Sequence, residues 1–385
     1  MAANVDKTVV QRGARDPAAV LADLEQVRAR TLELIAHLDA ERLEAVHSPI
    51  MSPLVWDLAH IAAYEDLWLV HRHVGEPLLH PELAAIYDAF ETPRAVRGEI
   101  ELLDSAAAFD YMRAIRERTA AATIRHGVGD GVIHEMVLRH ELQHTETMLQ
   151  TMALAQLLPP SSVIDPAGRR TSEPSCDGPQ WLHVQAGSCS IGAELEDGFS
   201  YDNERPAHEL TLAAFRIARD PVSNSEWREF REDGGYLRRE LWSQEGWAWR
   251  EQTEPLCHPS TGLGGEDAPV CHVCFHEAQA FASWRGARLP SEAEWERAAR
   301  AEETKTALAD RHRVWEWTSS ELLAYPGFAA HPYREYSEVF FGEGYRVLRG
   351  GSWATHPRVA SPTFRNWDLP IRRQLFAGLR LATDA

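Results

Sequence analysis

At 385 residues the chain is too long for one compact core, so two domains are expected. Hydrophobic residues at 44% and charged residues at 25% describe a globular protein, and no apolar run approaches the ~20 residues that span a bilayer. A net charge of −19 repels nucleic acid and anionic membrane surfaces, which excludes both as expected partners.

The opening residues, Met1-Ala2-Ala3-Asn4-Val5-Asp6-Lys7, lack the basic flank and apolar core of a secretion signal. Residues 17–38 carry Val20, Leu24, Val27, Leu34 and Leu38 at intervals of three and four, with Thr31 in the gap and Leu21 and Ile35 widening the stripe. That spacing predicts a helix. A second helix is expected to open at Ser52-Pro53, with serine as N-cap and proline in the first turn. It runs through Leu54, Trp56, Leu58, Ile61, Leu67 and Trp68 and carries His60. Residues 106–123 and 132–157 give a third and a fourth helix, and four such helices point to a bundle, where metal sites are built from facing side chains.

The fourth helix holds His140 and His144, one turn apart, so both imidazoles project from one face and can converge on a single ion. Met136, Val137, Met148, Leu149 and Met152 make this helix largely buried, and a buried histidine needs a partner for each ring nitrogen. Two protein ligands are too few for a tight site. His60, set among Leu58, Ile61 and Trp68, is the candidate third, the alternative being a core histidine bonded to a backbone carbonyl. His71 and His73 sit among polar residues, His134 falls on another face, and His47 precedes its helix.

Residues 158–179 are rich in proline, serine and glycine and read as a linker. Beyond them short apolar runs alternate with turns, as in Trp181-Leu182-His183-Val184-Gln185 and 345–353, which suggests an α+β domain. Helices are expected over 275–284 and 291–300, the latter opened by a capping box of Ser291 and Glu294. Cys271-His272-Val273-Cys274 is a lone CxxC, which favours packing over zinc. Five cysteines scattered from Cys176 to Cys274 fit a reducing cytoplasm better than a disulfide framework.

Six strings carry a resemblance: Trp56-Asp57-Leu58-Ala59-His60-Ile61, His140-Glu141-Leu142-Gln143-His144-Thr145-Glu146, Asn203-Glu204-Arg205-Pro206-Ala207-His208, Arg288-Leu289-Pro290-Ser291-Glu292-Ala293-Glu294-Trp295-Glu296, Arg349-Gly350-Gly351-Ser352-Trp353, and Phe364-Arg365-Asn366-Trp367-Asp368-Leu369-Pro370-Ile371-Arg372-Arg373. Together they resemble the ergothioneine-forming sulfoxide synthases, in which a DinB-like four-helix bundle precedes a sulfatase-modifying-factor domain of C-type-lectin-like topology. The resemblance implies a bundle over 14–157, a linker over 158–179 and the second domain over 180–385. It implies non-haem Fe(II) held by His60, His140 and His144, and O2-dependent joining of the sulfur of γ-glutamylcysteine to the imidazole of hercynine, giving a sulfoxide.

The same resemblance implies that Arg94 and Arg97 hold the carboxylates of γ-glutamylcysteine, two forks that i,i+3 spacing aims alike. Asp368 would meet its amino group, with Arg372 close by. Tyr333 would be the catalytic proton donor and Tyr336 would line the hercynine pocket, although these two tyrosines could be exchanged. Gln143 would hydrogen-bond the hercynine imidazole, and Asn366 and Trp367 would meet its carboxylate and trimethylammonium, the latter over an indole face. Residues from both domains are thus expected at one site, a frequent setting for a pocket. The chain departs from the family's pattern at 301–313, a short, charged, alanine-rich connection where relatives carry a longer loop. That puts a structural calcium site in doubt and leaves a close relative, selenoneine synthase with a selenosugar donor, as an alternative. A non-catalytic binding module and a thiol hydrolase or transferase on the same scaffold are further readings.

Overall fold

The computed structural model describes residues 16–165, 179–194, 198–253, 264–302, 304–305, 307–309 and 311–385. Most of the expected linker, 166–178, lies outside the described residues, as do 303, 306 and 310 of the short connection. The chain divides into two units, Met1–Pro159 and Pro160–Ala385.

In the first unit, α1 (Pro17–Ile35) is capped by Asp16, whose carboxylate accepts from the Ala18 N–H at 3.1 Å. It buries Val20, Leu24, Val27, Thr31, Leu34 and Ile35, the expected stripe, but ends before Leu38. A short α2 (Ala40–Glu44) follows. α3 (Leu54–Glu65) is buried along nearly its whole length and passes into a π-helical turn, Asp66–Arg72. The expected serine cap is corrected here: Pro53 stands at the N-cap position without a side-chain bond. The Ser52 hydroxyl instead accepts from Arg97 Nη1 at 2.8 Å, so a distant guanidinium outcompetes the local cap. A short α4 (Pro81–Ile86) and a 3-10 turn, Arg94–Val96, precede α5 (Ser105–His126) and α6 (Val132–Leu154). α5 starts on an Asp104 cap and stops at Gly127, which adopts a φ of +78°.

α1, α3, α5 and α6 pack on one another as a bundle. Their interior holds charges as well as apolar groups. Glu65 of α3 accepts from Arg116 of α5 and Arg28 of α1, each at 2.9 Å, while Glu141 of α6 accepts from Arg28 at 2.9 Å and from the Thr31 hydroxyl at 2.7 Å. Two cations thus face two anions from four helices, all buried. Buried charges persist when paired and hydrogen-bonded in this way.

The second unit begins with β1 (Trp181–Val184), β2 (Gly187–Ile191), β3 (His208–Leu212) and β4 (Phe215–Ala218), of which β1 pairs antiparallel with β4 and β2 with β3. Helices α7 (Asn224–Glu232), α8 (Gln244–Gln252), α9 (Phe275–Trp284) and α10 (Glu292–Arg300) lead to β5 (Trp315–Glu321), β6 (Arg346–Arg349), β7 (Asn366–Asp368), β8 (Ala377–Leu379) and β9 (Ala382–Asp384). The sheets order as β1-β4-β9, β2-β3 and β7-β6-β5-β8. Trp295, Ala298 and Ala299 of α10 pack on Val184, Phe215 and Ile217 of the first sheet. The Ser291–Glu294 capping box forms as expected.

The strings around Arg288 and Arg349 have structural causes. Glu292 and Glu296 of α10 pair with buried Arg365 and Arg349. Gly350 has a φ of +101°, and a Cβ there would stand 3.2 Å from Trp295. Cys271 and Cys274 are buried thiols outside any disulfide, and Cys274 caps α9, in keeping with packing. Among the described residues no helix is long and apolar enough to cross a membrane.

Candidate metal centre

Burial of α3 and α6 face to face brings three histidines together. His60 of α3 and His140 and His144 of α6 offer ligand atoms that all lie within 4.8 Å of one another. The ring centroids are 4.9 Å apart for His60 and His140, 4.5 Å for His60 and His144, and 4.5 Å for His140 and His144. His60 Nδ1 donates to the Tyr87 carbonyl at 2.6 Å, and His144 Nδ1 donates to Asp57 Oδ1 at 2.9 Å. Both partners are acceptors. Each of these rings therefore carries its hydrogen on Nδ1 and turns a bare Nε2 lone pair inward.

His60 Nε2 lies 3.1 Å from His140 Nε2. Lone pairs this close repel unless a proton or a cation stands between them, and with a third imidazole beside them a transition metal fits the donor set. Burial, reinforced by His144 and Arg97 against the opposing Tyr87 carbonyl, holds His60 well below the usual histidine range. Burial and the two neighbouring histidines do the same for His140. Neutral rings are what a metal requires of its ligands.

The setting contains residues that the sequence alone did not single out. Trp56 stacks on His60 at 4.6 Å and 14°, and Tyr64 stacks on His140 at 3.6 Å and 8°. Trp56, His60 and Tyr64 recur every fourth residue on α3, a periodicity visible in the sequence but indistinguishable there from core packing. Asp57, three residues before His60, is fully buried.

The expected pair of arginines does not share a setting. Arg94 is exposed at the start of a single 3-10 turn, whereas Arg97 is buried. Arg97 stacks 3.5 Å over the Trp56 ring and donates to Thr92 O at 2.7 Å, Ser52 Oγ at 2.8 Å and Ala89 O at 3.2 Å. Burial, partly offset by Asp57 and reinforced by Arg94, lowers its pKa to about 10, so it stays cationic at neutral pH. One fork faces solvent, and the other ties its own loop to the start of α3. Gln143 sits half-buried on α6 between the two histidines.

The remaining expected residues belong to the second unit and gather at β7, an edge of the four-stranded sheet. Asn366, Trp367 and Asp368 form that strand, and Tyr336 meets Trp367 edge-on at 5.8 Å. Tyr333 lies 6.3 Å from Tyr336, centroid to centroid, and Tyr201 stacks on Tyr336 at 4.2 Å. Tyr201 is a member of this cluster that sequence reading missed; nothing in its local pattern marks it. Asp368 accepts from the Leu369 N–H at 2.7 Å and from Gln374 Nε2 at 2.9 Å, and Arg372 Nε lies 3.9 Å away. Asn366 Oδ1 accepts from the Trp367 N–H at 2.9 Å.

Comparison with known proteins agrees with this two-part build. Residues 23–148 match the DinB superfamily, and residues 167–313 and 312–385 match the sulfatase-modifying factor enzyme 1-like domain. The second match breaks into two segments at the end of the short 301–313 connection. The chain is similar to the hercynine oxygenase of Mycobacterium tuberculosis (strain H37Rv), 41% identical over 430 aligned positions covering 96% of this chain and 99% of that one. It is equally similar to the hercynine oxygenase of Mycolicibacterium smegmatis, 41% identical over 94% of this chain and 98% of the relative. A formylglycine-generating enzyme of Streptomyces coelicolor is 28% identical over 35% of this chain and 49% of its own length. A DinB-like helical domain followed by a C-type-lectin-like sulfatase-modifying-factor domain, matched over nearly its whole length by such relatives, places this chain in the hercynine oxygenase family of ergothioneine-forming enzymes.

Proposed function

We propose that the chain is a non-haem Fe(II)- and O2-dependent sulfoxide synthase that joins the sulfur of γ-glutamylcysteine to the imidazole of hercynine. The observation that carries this reading is the convergence of His60, His140 and His144 in a chain 41% identical to a hercynine oxygenase across 96% of its length. Overall, the thiol and an imidazole C–H each give up a hydrogen, and O2 contributes one oxygen to the sulfoxide and leaves the other as water. Bound iron would supply one-electron chemistry with O2 and the coordination positions that three protein ligands leave open.

The chain's own residues bind, orient and move protons. Arg94, exposed, and Arg97, through the N–H groups not engaged by Thr92, Ser52 and Ala89, hold the donor's carboxylates. Asp368 takes the donor's amino group, with Arg372 beside it. Gln143 hydrogen-bonds the hercynine imidazole, Asn366 its carboxylate, and Trp367 faces its quaternary cation. Tyr333 delivers the proton and Tyr336 lines the hercynine pocket, a phenol suiting a donor that must stay protonated at neutral pH. The buried thiols Cys189, Cys271 and Cys274, in no disulfide, support a reducing, cytoplasmic setting.

A second reading, a selenosugar in place of γ-glutamylcysteine, is favoured by the short 301–313 connection. The charges of Arg94, Arg97 and Asp368 speak against it, because a neutral sugar gives them nothing to pair with. Incubating the protein with Fe(II), O2, hercynine and each donor, followed by mass analysis, separates the two. A sulfoxide conjugate with γ-glutamylcysteine is expected, and a product formed only with the selenosugar would reverse the choice.

A further inference from the structure

The three histidines differ in what stands behind them. His60 is backed by the neutral Tyr87 carbonyl, and His144 by the Asp57 carboxylate. His140 Nδ1 is buried with no hydrogen-bond partner, its ring held by the face of Tyr64. One ligand thus leans on a charge, one on a dipole and one on an aromatic ring. Asp57 lies on α3 one turn before His60, is fully buried, and keeps its second oxygen, Oδ2, buried without a partner. A buried carboxylate with an idle oxygen is costly unless positive charge lies close. Arg97 supplies part of that charge, since the two interact electrostatically.

We infer that Asp57 is a positioning residue of the metal centre, fixing the ring of His144 and making it the most electron-rich of the three ligands. The inference rests on the iron-binding reading above and extends it to a residue that touches neither metal nor substrate. The physical reason is twofold. A carboxylate on Nδ1–H pins the tautomer and the ring plane, and it raises the basicity of the opposite nitrogen. It also places one negative charge beside a centre whose three ligands are all neutral, which favours the oxidised metal over the reduced one.

The test compares full-length wild type, Asp57→Asn, Asp57→Ala, Asp57→Glu and His144→Ala, measuring anaerobic Fe(II) affinity and the Fe(III)/Fe(II) potential. Asp57→Ala is expected to weaken Fe(II) binding about 10- to 100-fold. Asp57→Asn keeps an acceptor oxygen and removes the charge, so it should bind iron nearly as well as wild type at a clearly higher potential. Asp57→Glu should restore part of both. Melting of the metal-free proteins identifies any variant that fails to fold, and Asp57→Asn is the variant that decides. Unchanged affinity in Asp57→Ala, or an unchanged potential in Asp57→Asn, would overturn the inference while leaving the iron site intact. Wild type that binds no iron would overturn the underlying reading, and the inference with it.

Discussion

Asp57, Tyr64 and Arg97 show how a side chain's role depends on what it touches. In sequence, Arg94 and Arg97 look equivalent, and the i,i+3 rule treats them alike. In the fold Arg97 spends two N–H bonds on its own loop, a third on Ser52 and a stacking face on Trp56 of α3, so the two should respond differently to mutation. Arg94→Ala is expected to raise the KM for γ-glutamylcysteine with little change for hercynine, at unchanged melting temperature. Arg97→Ala should do the same and also destabilise, by about 1–3 kcal/mol for the orphaned acceptors Ser52, Thr92 and Ala89. Steady-state kinetics with each substrate varied, together with thermal melting, checks both, and equal KM effects on the two substrates would argue for another donor. Tyr333→Phe should lower sulfoxide formation about 10²- to 10⁴-fold, the usual contribution of a general acid. Tyr336→Phe should act mainly on the hercynine KM. The reverse pattern, read from product mass and kinetics, would exchange their roles.

Among elements, α3 and α6 were the most legible because burial and chemistry share one face there. His140 and His144 announce themselves by spacing, and His60 by its apolar surroundings. What spacing could not reveal is the four-helix charge cluster of Arg28, Glu65, Arg116 and Glu141, since partners up to 113 positions apart leave no local trace. The same holds for Ser52, which reads as a cap until Arg97 is seen to claim it. Removing one member of the cluster leaves opposite charges buried and unmatched, so Glu65→Ala should cost about 3–5 kcal/mol in denaturant unfolding. Burial alone would push the Glu65 carboxyl up, but Arg116 and Arg28 outweigh it and hold it below the usual glutamate range. A depressed folded-state pKa means that the unfolded chain binds the proton more readily. The stabilisation is therefore present above about pH 4.3 and lost as the pH falls through the lower folded value. Acid unfolding of Glu65→Gln should lack that share of the pH dependence.

For the whole molecule, composition set the limits and the domain texture showed a helical part followed by a mixed one. The second unit's irregular connections stayed opaque, because its order comes from buried ion pairs such as Glu316–Arg380 and Glu292–Arg365 rather than from periodicity. Its aromatic cluster of Tyr201, Tyr336 and Trp367 likewise draws on residues more than 130 positions apart. A ligand that binds only the folded state stabilises by mass action. Fe(II) at a hundred times its dissociation constant should thus add about 2.7 kcal/mol to the unfolding of the wild-type chain and nothing to a variant without the site. Anaerobic addition of Fe(II) should saturate at about one ion per chain in wild type and fail to bind tightly in His60→Ala, as a single site built from three imidazoles requires. Iron held with unchanged stoichiometry and affinity in that variant would contradict such a site.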